Sequence, residues 1–303
     1  MKRKFSRQSA IKIDTNKDFL DVSSVFGNAV ALLFVRIIYN TVLTPIHVTF
    51  LALVSGVAGV FFIYSDGTVN LIIGALLIQV KNIFDAADGS LARARNTPSR
   101  IGRFLDSVVD FFIGLLLFLA IGFNLSKGNT AVYLWPLVTL AFLCSMIQCS
   151  YYVYYNIQYL LVARQKDSAS RADESFTDDD MCVYSEPYKQ KILQCLQHLF
   201  LLFYGWQDKF VKLVDHASLG LLKRYPRVVP CNIDMVEWYD QKKILQLNSV
   251  LGLGTQLFLM SFMVAIGQMY AYLWIVMLFG NGYLVWLILY RINCFKRLEL
   301  LND

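Results

Sequence analysis

Four aspartates lie close together in the chain, as two pairs with helical spacing. Asp85 and Asp88 are three residues apart, and Asp106 and Asp110 are four residues apart. Side chains at these separations share one face of an α-helix, so two helices joined by a short loop can bring the pairs together. Four ionised carboxylates would need about two divalent cations for neutrality. Oxygen ligands suit Mg²⁺ or Mn²⁺, and the absence of Cys and His from the cluster argues against zinc.

Small residues and one arginine accompany the carboxylates. Gly89, Ala92 and Gly102 remove side-chain bulk, so a flat base or a diphosphate can approach the backbone closely. Arg93 lies one turn after Gly89 and can neutralise phosphate oxygens. Two metal ions at one site clamp a diphosphate and stabilise the attacking and leaving oxygens of a displacement. The set therefore predicts metal-dependent chemistry on a diphosphate.

Lys81 extends the same helix face, one turn before Asp85, inside an otherwise apolar run. Two interpretations are open at this point. In the first, Lys81 is a counter-ion of the carboxylates, or a lysine that snorkels towards the interface. In the second, it contacts the acceptor or a donor phosphate, aided by Asn82.

Six mainly apolar runs must hold these residues. The chain has 303 residues, of which 56% are hydrophobic and 17% charged, so it is more apolar than a typical soluble protein. Runs of about 20 apolar residues cross a hydrocarbon core as helices. The six candidates are residues 46–64, 69–87, 104–123, 131–155, 250–269 and 271–290. We therefore predict an all-α integral membrane protein with six transmembrane helices.

The distribution of basic residues predicts the orientation. If the N-terminus is cytoplasmic, the outer loops lie near residues 65–68, 124–130 and 270, and their one basic residue is Lys127. The inner segments are rich in Lys and Arg, which predicts cytoplasmic termini and a cytoplasmic active site. No apolar segment follows the basic start, so we expect no signal peptide. The net charge of +6 suits an anionic leaflet and gives no reason to expect a nucleic acid partner.

Composition divides the chain into five segments. They are a basic flexible arm (1–17), an interfacial amphipathic helix (18–45), spans 1–4 (46–163), a cytoplasmic helical insert (164–245), and spans 5–6 with a short tail (246–303).

The insert is balanced in charge, with 12 basic and 12 acidic residues. It is predicted to pack on the inner membrane surface, with a regulatory lid as the alternative. Residues 188–215 within it predict one long helix or a helix pair. The apolar face of that helix comprises Ile192, Leu196, Leu199, Phe203, Trp206 and Phe210.

Aromatic and amide residues in the spans have less specific interpretations. A tyrosine cluster ends the fourth run, where an interfacial belt is predicted and a cation–π cage for a quaternary ammonium is the alternative. Its members are Tyr151, Tyr152, Tyr154, Tyr155 and Tyr159. The amides of the last two spans are predicted to be interhelical hydrogen-bond partners. They are Asn248, Gln256, Gln268 and Asn281.

Residues 85–110 follow the pattern Asp-x2-Asp-Gly-x2-Ala-Arg-x8-Gly-x3-Asp-x3-Asp. This segment resembles the signature of the CDP-alcohol phosphotransferase (CDP-alcohol phosphatidyltransferase) family at every fixed position. The six-span layout and the helix before it are also similar to that family, whereas the insert lies outside the common core. One departure is Ile46, after Pro45, where the family often has Asn.

The resemblance implies a two-metal site for a CDP-linked donor. It implies that Asp85, Asp88 and Asp106 are metal ligands. It further implies that Asp110 is a ligand or the general base that takes the proton of the acceptor hydroxyl. The residues implied to frame the cytidine diphosphate are Gly89, Ala92, Arg93 and Gly102. Members of the family form homodimers, so a homodimer is also expected.

The expected function is metal-dependent transfer of a phosphatidyl group from CDP-diacylglycerol to an alcohol, with release of CMP, in phospholipid synthesis. The segment Leu105-Asp106-Ser107 in a compact six-span chain resembles the bacterial members and favours this direction. The alternative is transfer of phosphocholine or phosphoethanolamine from a CDP-amino-alcohol to diacylglycerol. Two other classes are an ion-coupled transporter, which predicts carboxylates at mid-membrane on broken helices, and an inactive scaffold.

Overall fold

A computed structural model of the chain describes residues 28–65, 67–97, 99–127, 131–163, 186–223 and 235–302. Every regular element in these ranges is helical, which confirms the predicted all-α fold. Six stretches are long and apolar enough to cross a membrane, so the protein is a multi-pass integral membrane protein. They are Pro45–Ser65, Thr68–Ala94, Arg100–Leu125, Leu134–Val162, Met235–Ala265 and Met269–Phe295. The predicted arm 1–17 lies outside the described residues.

The described residues before position 128 form four helices. They are α1 (Asn28–Ile38), α2 (Pro45–Ser65), α3 (Thr68–Ala94) and α4 (Arg100–Leu125). Helix α1 is the described part of the predicted interfacial helix. Helix α2 packs against both α3 and α4, whereas the backbones of α3 and α4 make little direct contact with each other.

Two glycines allow α2 and α3 to approach closely. A Cβ at Gly74 would lie 2.9 Å from the carbonyl oxygen of Gly59, and a Cβ at Gly59 would lie 2.8 Å from the end of Ile78. Small residues at such contacts are typical of membrane helix pairs. Gly67, in the turn between the two helices, has φ of 91°, a conformation that favours glycine.

The described residues from position 131 onwards form seven α-helices and several irregular turns. They are α5 (Ala131–Gln158), α6 (Pro187–Lys223), α7 (Met235–Tyr239), α8 (Lys242–Asn248), α9 (Leu253–Ala265), α10 (Met269–Trp274) and α11 (Asn281–Asn302). Helix α5 continues as a π-helical turn, and a second π-helical segment, Ile275–Gly280, joins α10 to α11. The fifth apolar stretch begins at Met235, inside the segment that composition assigned to the insert.

Amide side chains join the spans. Gln256 hydrogen-bonds with Ser145, which links α9 to α5. Gln148 donates to Asn281 Oδ1 at 2.9 Å and to the carbonyl oxygen of Val276 at 2.9 Å, so it pairs with a carbonyl in the π-helical segment. These bonds confirm the prediction of interhelical partners for Gln256 and Asn281.

The longest helix among the described residues of the insert is α6, of 37 residues. It packs against α4, α5 and α11. The face of α6 that packs against the other helices is shifted by one position along the sequence from the predicted apolar face. Ile192, Trp206 and Phe210 are therefore exposed. The contact face includes the buried polar residues Gln207 and Asp215, whose hydrogen-bond partners lie on other elements.

The tyrosines at the end of α5 are buried, so the prediction of an interfacial belt is wrong for them. The guanidinium carbon of Arg291 lies 3.7 Å from the ring centroid of Tyr155. Tyr155 therefore contacts a cation of the chain itself, and the ring centroid of Trp238 lies 5.6 Å from the same guanidinium carbon. The buried tyrosines are Tyr151, Tyr154, Tyr155 and Tyr159.

Candidate active site

Three of the four aspartates meet in the gap between α3 and α4. Carboxylate oxygens of Asp85, Asp106 and Asp110 lie within 4.8 Å of one another. Helical spacing places Asp106 and Asp110 on one face of α4, and α2 holds that face opposite α3. Three carboxylates at this separation repel one another strongly unless a cation lies among them.

The chemistry of this acidic cluster fits a divalent metal ion. Oδ1 of Asp85 is buried and has no hydrogen-bond partner among the described residues. A buried carboxylate oxygen without a hydrogen bond is costly even with the Lys81 ammonium 3.5 Å away, and a bound divalent cation would offset that cost. Three oxygen ligands without His or Cys suit Mg²⁺ or Mn²⁺.

Lys81 is part of the acidic cluster. Its side chain is 1% exposed and forms an ion pair with Asp110, and its Nζ lies 3.5 Å from Oδ1 of Asp85. Three carboxylates and one ammonium leave a net charge of −2, which one divalent cation would neutralise. This geometry matches the counter-ion interpretation of Lys81.

Asp88 is not among the three carboxylates whose oxygens converge. It is buried, and its Oδ2 accepts a hydrogen bond of 2.5 Å from Oγ1 of Thr49 on α2. The sequence analysis did not identify Thr49 as a site residue. The available signal was a hydroxyl one turn after Pro45 in an otherwise apolar helix, close to the position where Ile46 departs from the family pattern.

The predicted donor-binding residues lie on α3 and the start of α4. Arg93 folds back along α3, where Nη2 donates to Oγ of Ser90 at 3.2 Å, and a Cβ at Gly89 would lie 3.2 Å from its Nη1. A Cβ at Gly102 would meet Ser99 at 3.6 Å, an ordinary contact. Packing among the described residues therefore does not require glycine at position 102. Asn82 and Ala92 are half-buried.

Arg95 holds α1 against the end of α3, and its role was not anticipated. Its guanidinium donates to the carbonyl oxygens of Ile38 at 2.8 Å and Thr41 at 3.1 Å, and also to that of Leu43. These carbonyls lie at the end of α1 and in the loop after it, where helical partners are absent. The contact fixes α1 against the C-terminal end of α3, the helix that carries Asp85 and Asp88.

Comparisons with known proteins cover the segment that carries this site. The model of a family described as CDP-alcohol phosphatidyltransferase matches residues 42–216, which include all four aspartates. An uncharacterized protein of Aquifex aeolicus (strain VF5) is 44% identical over 64 residues, which are 21% of this chain. That similarity covers 31% of the length of the Aquifex protein.

Proposed function

The chain belongs to the CDP-alcohol phosphatidyltransferase family, and from this premise we propose that it transfers a phosphatidyl group from CDP-diacylglycerol to an alcohol in phospholipid synthesis. The observation that carries the proposal is the convergence of Asp85, Asp106 and Asp110 within 4.8 Å. Helices α3 and α4 are continuous through these residues. That continuity does not match the broken helices expected of an ion-coupled transporter.

We propose that Asp85, Asp106 and Asp110 hold one divalent ion, Mg²⁺ or Mn²⁺. Asp88 would contribute to a second ion, with Thr49 orienting its carboxylate through their hydrogen bond. When bound, the ions supply neutralisation of the diphosphate charge and stabilisation of the leaving phosphate oxygen.

The donor would lie along α3 and the start of α4. Gly89, Ala92 and Gly102 leave the backbone accessible to the cytidine diphosphate, and Arg93 provides a cation for its phosphate oxygens. Support comes from Gly102, where the packing of the protein itself leaves room for a larger side chain.

Asp110 would act as the general base. Its carboxylate takes the proton of the acceptor hydroxyl while the acceptor oxygen attacks the phosphorus that carries the diacylglycerol. A new phosphorus–oxygen bond forms, the bond to the cytidine monophosphate oxygen breaks, and the products are a phosphodiester and CMP. The Lys81 ammonium compensates the charge of Asp110 and holds it beside the other carboxylates.

We also propose an orientation of the protein in the membrane and an oligomeric state. The basic residues of the inner segments favour cytoplasmic termini and an active site on the cytoplasmic side of the membrane. The family resemblance favours a homodimer. Transfer of a phospho-amino-alcohol from its CDP derivative to diacylglycerol would use the same carboxylates, so the test below includes both directions.

The test is an assay of CMP release by the purified protein in lipid nanodiscs. Radiolabelled CDP-diacylglycerol, CDP-choline and CDP-ethanolamine are supplied separately, with Mg²⁺ or Mn²⁺ and a panel of alcohols and diacylglycerol. We expect metal-dependent release from CDP-diacylglycerol. Release only from the CDP-amino-alcohols would establish the opposite direction, and no release from any donor would refute the proposed enzyme.

Asp106→Asn provides the matched negative control for this assay. The substitution preserves the shape of the side chain but removes one anionic ligand. We expect CMP release to be abolished while thermal unfolding of the metal-free protein remains cooperative.

A further inference from the structure

A cavity of about 190 Å³ lies next to Asp110, enclosed by α4, α5, α6, α9 and α10. Asp110 forms part of its wall, so the cavity reaches the carboxylate that would take the acceptor proton. Much of the remaining wall is apolar, with Phe118, Phe142, Leu257 and Met260 among its residues. A space of this kind suits the body of a small molecule or one end of a lipid.

The insert helix closes one side of this cavity. Tyr204 and Gln207 of α6 belong to its wall. Gln207 is 1% exposed, and its Oε1 accepts a hydrogen bond of 2.6 Å from Oγ of Ser150 on α5. The Tyr204 hydroxyl donates to the carbonyl oxygen of Ser107, at 2.9 Å, one turn before Asp110 on α4. The insert is therefore part of the wall that faces the reacting group.

The described wall offers no cation to an anionic ligand. No Lys, Arg or His is among the described residues that line the cavity. The ammonium of Lys81 is paired with Asp110 and is not part of the wall. A phosphate or carboxylate buried there would lack a charge-assisted partner among the described residues of the wall. The wall consequently disfavours acceptors that carry an anionic group.

Tyr272 supplies an unused polar group in the same wall. It lies on α10, is fully buried, and its hydroxyl has no hydrogen-bond partner among the described residues. A buried hydroxyl without a partner is costly, and a ligand oxygen can satisfy it. A neutral acceptor with a second oxygen would provide that partner.

We propose that this cavity is the acceptor pocket for an uncharged alcohol, and that Tyr204 and Gln207 of the insert, with Tyr272, determine its specificity. This inference rests on the proposed function, because it assigns the acceptor of that reaction. The shared chemistry is a neutral hydroxyl compound, which is either a soluble polyol or a diacylglycerol in the bilayer.

The first test compares acceptors that differ by one anionic group. Glycerol is paired with glycerol 3-phosphate, and inositol with inositol 1-phosphate, each with CDP-diacylglycerol as donor. Monoacylglycerol is paired with lysophosphatidic acid, and diacylglycerol is added, with CDP-choline as donor. We expect the neutral member of the active pair to have a kcat/KM more than about tenfold higher, because the buried anion would be unpaired. Equal or better use of a phosphorylated acceptor would overturn the inference.

The second test removes single polar groups from the wall. Tyr272→Phe should raise the KM for the acceptor about three- to tenfold, the loss of roughly one hydrogen bond, with the KM for the donor unchanged. Gln207→Leu should also raise the acceptor KM, because the wall loses its hydrogen bond to Ser150. Tyr272→Phe should not lower the melting temperature, since it deletes an unpaired hydroxyl. A purely structural role would leave the acceptor KM unaltered.

Tyr283→Phe is the matched control. The Tyr283 hydroxyl donates to the carbonyl oxygen of Leu247 at 3.1 Å, and Tyr283 is not among the residues of the cavity wall. Its substitution should leave the acceptor KM unchanged. An active wild-type protein whose acceptor KM is insensitive to Tyr272→Phe refutes the pocket alone, whereas an inactive wild-type protein refutes the proposed function together with the pocket.

Discussion

Lys81 determines the charge balance of the acidic cluster. The ammonium is buried between α3 and α4, where it forms an ion pair with Asp110 and lies 3.5 Å from Asp85. Without it, the three carboxylates of the cluster would carry −3 in a region of low dielectric. The ammonium therefore lets the carboxylates approach one another before any metal binds.

Replacement of Lys81 by Met should destabilise the metal-free protein and increase its dependence on metal. Breaking a buried ion pair typically costs about 3–5 kcal/mol, because the partner charge remains unpaired. The measurement is the melting temperature with and without Mg²⁺, alongside steady-state kinetics. Lys127→Met, at an exposed lysine, is the control and should have little effect. An unchanged acceptor KM in the active variant would exclude direct contact between Lys81 and the acceptor.

A substitution at Gly102 can distinguish an effect on packing from an effect on ligand binding. Since a Cβ at this position meets Ser99 only at an ordinary distance, Gly102→Ala should fold normally. We expect the KM for the CDP donor to rise about tenfold, because the methyl group would occupy space assigned to the cytidine diphosphate. Gly205→Ala is the matched control, since nothing lies within 4 Å of its Cβ. An unchanged donor KM in the Gly102 variant would remove this residue from the donor site.

At the scale of elements, α6 is held by a buried polar network at its C-terminal half. Asp215 is 1% exposed and accepts hydrogen bonds from the hydroxyls of Tyr155 and Tyr239, each at 2.7 Å, and from Nε1 of Trp238 at 2.9 Å. One side chain thus joins α6 to α5 and α7. Because buried polar groups depend on one another's presence, the network fixes a single position for α6.

Asp215→Leu should release the C-terminal half of α6. The substitution leaves three phenols and one indole without this acceptor, at roughly 1–3 kcal/mol for each group. We expect a lower melting temperature and faster proteolysis within α6, together with a higher acceptor KM if α6 forms the acceptor wall. Asp240→Leu, at an exposed carboxylate, serves as the control. If the acceptor KM stayed constant while α6 became protease-sensitive, the insert would have only a structural role.

At the scale of the whole molecule, the six spans separate one basic side from one side that is poor in basic residues. We predict that the C-terminus lies in the cytoplasm and that the loop near Lys127 lies outside, because Lys and Arg are retained on the cytoplasmic side. Alkaline phosphatase fused after Lys127 should be active and a fusion at the C-terminus inactive. Green fluorescent protein at the same positions should give the converse result, and the reverse pattern for both reporters would invert the topology.

Most of the fold could be predicted from local patterns. Runs of about 20 apolar residues can satisfy their backbone hydrogen bonds in a bilayer only as helices, so the six spans follow from composition. The pairing of carboxylates on helix faces follows from spacing alone. The sequence did not predict which face of α6 is buried. That face is determined by the hydrogen-bond partners of Gln207 and Asp215, which are distant from α6 in sequence.

The sequence by itself determined the family signature, the helical class and the order of the four aspartates. Only the tertiary structure decided which groups meet: three carboxylates with Lys81, Asp88 with Thr49, and Arg291 with the ring of Tyr155. The physical reason is that spacing along a helix specifies a face, whereas the distance between two faces depends on how the helices pack. Spacing alone predicts four carboxylates with a combined charge of −4. The structure instead brings three of them together beside a buried ammonium, and the fourth, Asp88, accepts a hydrogen bond from Thr49.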